Sequence, residues 1–191
     1  MQVFKAPNPA LRIQTKPVKK VTPALLQTFK DMVRLTKTFK DPEGVGLAAT
    51  QIGLDGQYFI AKVDGSARTR KEAGEVDTSE VNKDGKFITV INPKITWTSK
   101  RTKKYFEGCL SIPNYWGETE RYTGIKVTYM DETGQVIHAR LKGVMAWIFQ
   151  HEVDHLNGRL FADRVLEQKG KFFKNIGKDK TGADIFEEIT I

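Results

Sequence analysis

The stretch GVMAWIFQHEVDHL, residues 143–156, decides how the rest of this chain is read. It is apolar enough to be a buried helix, and it carries two histidines four positions apart, His151 and His155. Residues i and i+4 of a helix project from one face, so both imidazoles can reach a single metal ion. Glu152 lies about a hundred degrees round from His151, close enough to touch a water on that ion. This is the logic of the H-E-x-x-H pattern in zinc hydrolases. Two unpaired imidazoles in a buried helix would be costly to desolvate, which favours a metal site over chance.

A catalytic site of this type uses three protein ligands and keeps one position open. The third histidine, His138, sits in a strand-like run, alternating with Val136 and Arg140. The one cysteine, Cys109, stands in EGCLSIP (107–113). Gly108 lets the backbone approach closely there, and Pro113 ends any continuing structure. A Cys109 thiolate is a soft anionic ligand that suits iron or zinc. A lone cysteine is ordinarily a small buried hydrophobe. A nucleophilic Cys109 with His151 as base is a further alternative, but it leaves His155 unexplained, so the ligand role is preferred.

Outward from the helix, residues 23–40 repeat apolar positions at three-and-four spacing, after Thr22 as N-cap and Pro23 at the first turn, which predicts a helix ended by Asp41–Gly44. Residues 44–53, GVGLAATQIG, read as loop and short extended segment. Strands are predicted at 57–63, 87–91, 94–98, 104–106, 124–130 and 135–141, with a turn at 131–134. The end, ADIFEEITI, suits a last strand. Residues 66–86 are charged and without apolar periodicity, and are expected to be a mobile connection. The class is α+β, with antiparallel or mixed β-sheets around a central metal-binding helix, in one domain over 1–191.

Composition narrows the partners. With 39% hydrophobic and 28% charged residues, the 191-residue chain is ordinary for a globular protein. No run approaches the 18 apolar residues of a membrane span, and a secretion signal is not expected. One cysteine excludes an internal disulfide. The net charge of +8 invites a nucleic-acid reading, but the lysines and arginines are scattered rather than interleaved with aromatics. The tail from about 167 to 191 is basic between Lys169 and Lys180. It reads as a solvated surface, with contact to RNA phosphates as the functional alternative. Asp154 reads as a residue that orients a neighbour.

Three separated segments together resemble the peptide deformylases: GVGLAATQ (44–51), EGCLS (107–111) and QHEVDHLNG (150–158), in that family's order. The resemblance runs from about residue 3 to 165 and fades in 66–86 and after Leu166. It implies removal of the formyl group from the N-terminal methionine of nascent polypeptides, with release of formate. It further implies one divalent metal ion held by Cys109, His151 and His155. Iron(II) would be the native ion, and zinc, nickel or cobalt could substitute. Glu152 would be the catalytic carboxylate, and Gln51 with the Leu110 N–H would hold the formyl oxygen. Backbone groups of Val45, Gly46 and Gly108 would bind the peptide, and Val45, Tyr105, Glu107, Val144, Trp147 and Ile148 would line the methionine pocket. Arg121 matches an arginine near the site, and Trp116 departs from the smaller or basic residue of many relatives, reshaping the entrance. A monomer in the cytoplasm, or an organellar or phage-encoded enzyme, fits this reading. Its rivals are another metallohydrolase, an inactive relative, and a basic nucleic-acid binder.

Overall fold

A computed structural model describes residues 1–40, 43–63, 68–71, 74–77 and 86–190. Helix α1 spans Pro23–Thr36, and Thr22 caps it by accepting from the Leu25 N–H (3.2 Å). It ends four residues before the predicted boundary. Thr36 bonds back to the Met32 carbonyl (2.8 Å), and Gly44 approaches so closely that a Cβ there would lie 2.5 Å from the Thr36 oxygen.

The strands follow as β1 (Gly46–Ala48), β2 (Tyr58–Lys62), β3 (Arg68–Lys71), β4 (Gly74–Asp77), β5 (Phe87–Thr98), β6 (Thr102–Cys109), β7 (Ile112–Tyr122), β8 (Gly124–Met130) and β9 (Val136–Lys142). Helices α2 (Gly143–Leu156) and α3 (Phe161–Glu167) come next, then β10 (Phe172–Lys178) and β11 (Asp184–Ile189). The class is α+β as expected, and every described strand pairing is antiparallel. One sheet has the order β1-β2-β5-β8-β9-β3-β4 and the other β11-β10-β7-β6.

Several differences from the sequence reading have local causes. The segments 87–91 and 94–98 are one strand, bulged between Ile91 and Lys94, where Asn92 takes φ 50°. Within the 66–86 connection, β3 pairs with β9 and carries β4; the other expected mobile positions, 66–67, 72–73 and 78–85, lie outside the described residues. β7 was not predicted because Pro113, Gly117 and its polar residues hide the alternation. Helix α3 leads up to the tail, which forms the β10–β11 hairpin, with β11 as the expected last strand.

Helix α2 packs on the first sheet. Met145, Ala146, Ile148, Phe149 and Leu156 join Phe59, Val90, Ile125, Val127 and Leu141 in one core, with Phe149 edge-on to Phe59 at 4.9 Å. A second core sets Phe29 and Met32 of α1 against Leu47, Ile60 and Ile91. A third places Phe161 and Val165 of α3 beside Cys109 and Phe172. Burial of each large apolar side chain stabilises by about 1.5–3 kcal/mol. The site therefore lies where α2 meets β1 and the ends of β6 and β7.

Candidate active site

Gln150, His151, Asp154 and His155 of the motif on α2 each have a distinct partner. The Gln150 amide bonds both backbone groups of Tyr122, accepting from its N–H (3.1 Å) and donating to its carbonyl (3.0 Å), which fixes α2 to β7. His151 Nδ1 meets Glu107 Oε2 at 2.9 Å. Asp154 accepts from Arg121 (2.5 Å) and from two nitrogens of Arg164 (3.0 and 2.6 Å). His155 Nε2 lies 3.2 Å from Cys109 Sγ. Gly158 ends the motif at φ 69°, packed on the Arg12 carbonyl, where a Cβ would approach to 2.5 Å.

Strand alternation explains Glu107 and Cys109. They are two apart on β6, so they share the face turned inward, and both are buried. On the paired strand, Thr119 and Arg121 face inward as well. Arg121 donates to Glu107 through Nε (2.7 Å) and Nη2 (2.9 Å), and the Thr119 hydroxyl donates to the same carboxylate. Burial raises the Glu107 pKa, but the bonds from Arg121 and His151 prevail and hold it far below the usual carboxylate range. The result is a buried chain from Arg164 through Asp154, Arg121 and Glu107 to His151. Such a partner fixes the ring and its tautomer, leaving Nε2 for a metal.

Glu107 was expected in the methionine pocket. Its carboxylate is engaged by Arg121, Thr119 and His151, so Glu107 has a further role in positioning His151. Tyr105 was expected there as well. Its ring stacks on Trp147 (5.2 Å between centroids, 10° between planes), backing the pocket wall rather than lining the cavity.

The other expected residues converge on one cavity of about 220 Å³. Val45, Val144, Trp147 and Ile148 supply its apolar wall. Gln51, Cys109, Leu110, His151 and Glu152 gather at its polar end, with Gly46 and Gly108 beside them. His155 lies behind this surface, fully buried. Glu43 and Trp116 complete the lining. Trp116 lies over Gly108, where a Cβ would come within 2.9 Å of the indole, so the entrance is shaped by that tryptophan.

Gly46 has a steric reason to lack a side chain. A Cβ there would sit 2.2 Å from Glu152 Oε1, in the space that the carboxylate occupies. Glu152 is buried, and its Oε2 has no partner among the described residues. Burial pushes its pKa up to about 7, against the lowering influence of His151 and His155. Gln51 is held by the Ala48 N–H on Oε1 (2.8 Å), which turns Nε2 toward Cys109 Sγ (3.4 Å) and Ser111 Oγ (3.2 Å). Residues near the N-terminus join these loops: the Phe4 N–H donates to the Gln51 carbonyl (2.7 Å), and the Ala6 N–H to that of Ser111 (2.9 Å). Ser111 itself was missed by sequence reasoning; its N–H donates to Cys109 Sγ (3.4 Å).

The donor set fits one metal ion. Sγ of Cys109 and one ring nitrogen each of His151 and His155 lie within 4.8 Å of one another. Donors at about 2.0–2.3 Å from a tetrahedral ion lie about 3.5 Å apart, which that cluster nearly meets. Burial pushes the Cys109 thiol up, but the charge of His155 and the bonds from both histidines prevail and hold it well below its ordinary value. Burial pulls His151 down, but Cys109 and Glu107 prevail and hold it well above its ordinary value. A thiolate among imidazoles suits a borderline or soft divalent ion. His138 is no part of this cluster; its Nδ1 meets the Thr128 hydroxyl (3.0 Å) on the exposed side of β9.

Residues 1–171 match the family model described as polypeptide deformylase. The chain belongs to this family. A peptide deformylase of Bartonella tribocorum is 36% identical over 178 residues, covering 91% of each chain. The crystal structure of the deformylase from Thermotoga maritima superposes with a TM-score of 0.70 at 33% identity, over 85% of this chain and 95% of that one. The deformylase from Legionella pneumophila gives 0.71 at 29% identity, over 85% and 84%. The matched region takes in all three deformylase segments and stops just short of the β10–β11 hairpin. Among the described residues, no helix is long and apolar enough to cross a membrane.

Proposed function

We propose that this chain removes the N-formyl group from the initiator methionine of newly made polypeptides, releasing formate. The observation that carries this reading is the convergence of Cys109, His151 and His155 beneath the apolar cavity, with the buried Glu152 carboxylate beside them. A divalent ion bound by those three residues supplies Lewis acidity, polarising a carbonyl oxygen and acidifying a water.

The chain's own residues do the rest. The apolar wall of Val45, Val144, Trp147 and Ile148 takes the methionine side chain and excludes water, while backbone groups of Val45, Gly46 and Gly108 hold the peptide. The Leu110 N–H and Gln51 Nε2 meet the formyl oxygen as negative charge grows there. The bonds of Gln51 to Sγ and Oγ are long, so its amide can redirect at little cost. Loss of one such donor costs about 3 kcal/mol of transition-state stabilisation. Glu152 accepts the proton of the attacking water at Oε2 and returns it to the leaving amine nitrogen. One carboxylate thus serves as base and then acid. Glu107 and Arg121 keep His151 in place throughout.

Finer readings accompany this one. The native ion is iron(II), with zinc, nickel or cobalt as substitutes. The chain acts as a single domain and a monomer in the cytoplasm; the basic segment between Lys169 and Lys180 is a solvated surface, with contact to ribosomal RNA phosphates as the alternative. Formate release from formyl-Met-Ala-Ser, run beside cleavage of unformylated Met-Ala-Ser, tests the central reading. Turnover of the formylated peptide alone is expected. Hydrolysis of the unformylated peptide, with no formate from the other, would indicate a different metallohydrolase.

A further inference from the structure

We infer that the C-terminal hairpin, with β7, builds a second subsite that holds the main chain of the substrate downstream of its methionine; this rests on the deformylase reading. A cavity of about 340 Å³ adjoins the apolar one, and Cys109 and Trp116 line both. Besides Ile112 and Tyr115, its walls carry polar groups: Asn114 on β7, and Asn175, Lys178 and Asp184 of the hairpin. Trp116 borders both spaces, so a peptide whose methionine fills the apolar cavity can continue past Trp116 into the polar one.

Two backbone irregularities shape the opposite walls. Asn114 sits within β7 at φ 67°, a left-handed conformation that is costly for a non-glycine residue. Opposite, β10 is bulged between Asn175 and Gly177, and the Gly177 N–H donates to Asn175 Oδ1 (2.8 Å). Bulges and strained residues concentrate beside functional sites. The Asn114 side chain and the Asn175 Nδ2 make no hydrogen bond among the described residues. Together these amides offer donors and an acceptor suited to the N–H and C=O groups of an extended peptide. Lys178 and Asp184 pair at 3.4 Å at the rim.

The hairpin is firmly seated. Phe172–Lys174 of β10 pair with Tyr115–Gly117 of β7. Phe106 stacks on Trp116 (5.3 Å, 8°), and both meet Phe186 of β11 edge-on (4.9 and 5.6 Å). The same tryptophan that shapes the entrance therefore anchors the added wall.

The test compares kcat/KM for formyl-Met-Ala and formyl-Met-Ala-Ser-Ala-Ala in wild type and in Asn114→Gly/Asn175→Ala. Glycine keeps the left-handed backbone of residue 114 while removing its amide. Wild type should prefer the pentapeptide about tenfold, and the double variant should lose most of that preference through KM, as expected for two neutral hydrogen bonds. A wild type with no preference for the longer peptide overturns the proposal. So does a double variant, folded by circular dichroism and normal in metal content, that keeps the wild-type ratio. If metal-loaded wild type releases formate from neither peptide, the deformylase reading itself has failed, and this inference with it.

Discussion

Glu107→Gln separates a positioning role from a pocket role, and its effects can be worked from the contacts. The Glu107 carboxylate receives two bonds from Arg121, at 2.7 and 2.9 Å, and one from the Thr119 hydroxyl, and it faces His151 Nδ1 at 2.9 Å. The amide keeps the shape but removes the charge that balances a buried guanidinium. Arg121 retains Asp154, which Arg164 also shares. Breaking a buried pair by removing one partner costs about 3–5 kcal/mol. Loss of a histidine's outer partner typically lowers metal affinity about 10–100-fold. Urea unfolding should therefore show the first loss, and competition against a chelator the second. A pocket residue would behave differently, changing KM for methionine relative to other side chains and leaving metal affinity alone. Native metal affinity and stability in Glu107→Gln would refute the reasoning. The double variant Glu107→Gln/Arg121→Met supplies a cycle: its loss of stability should be smaller than the sum of the two single losses.

Further outcomes follow from other contacts. Gly46→Ala should displace the Glu152 carboxylate and lower kcat more than tenfold while metal content is unchanged, because the added Cβ would lie 2.2 Å from Oε1; unchanged kcat would contradict that packing. Cys109→Ser should weaken metal binding, measured by metal analysis after dialysis; retained affinity would argue against a ligand role. Glu107 and Asp154 both have folded pKa values below their ordinary 4.5 and 3.8, because their arginine and histidine bonds outweigh burial. The stability they add is complete above those ordinary values and lost as pH falls through the folded ones. Unfolding free energy should therefore fall with acid below about pH 4.5, less steeply in Glu107→Gln.

What could be read from the sequence depended on how much each segment carried alone. Helix α2 was legible from fourteen residues, because its apolar content and two histidines in register agree. β8 and β9 were legible from strict alternation, with Ile125, Val127, Ile137 and Ala139 facing inward. β7 was not, because its inward residues include Gly117, Thr119 and Arg121, and burial of Arg121 makes sense only once Glu107 and Asp154 are in place. Cys109 could be found from its local setting, whereas the role of Glu107 required the pairing of β6 with β7. Alternation on β6 did hold a usable signal, since Glu107 and Cys109 share a face. Helix α3 is seven residues long, too short for periodicity to show, and Gly117 is where it packs: a Cβ there would lie 2.5 Å from Val165. Of the hairpin, β11 was legible from the apolar positions of ADIFEEITI, whereas β10 was not, because Lys174, Asn175, Gly177 and Lys178 interrupt its pattern and Phe172 and Phe173 find their partners on other elements.

The most direct test of the central claim is formate release from formyl-Met-Ala-Ser by Glu152→Gln, loaded to one metal ion per chain and compared with wild type at equal metal content. The account predicts that the metal is retained and turnover falls by at least about a hundredfold, the lower end of a proton-transfer residue's contribution. Turnover near that of wild type in the fully loaded variant would contradict it.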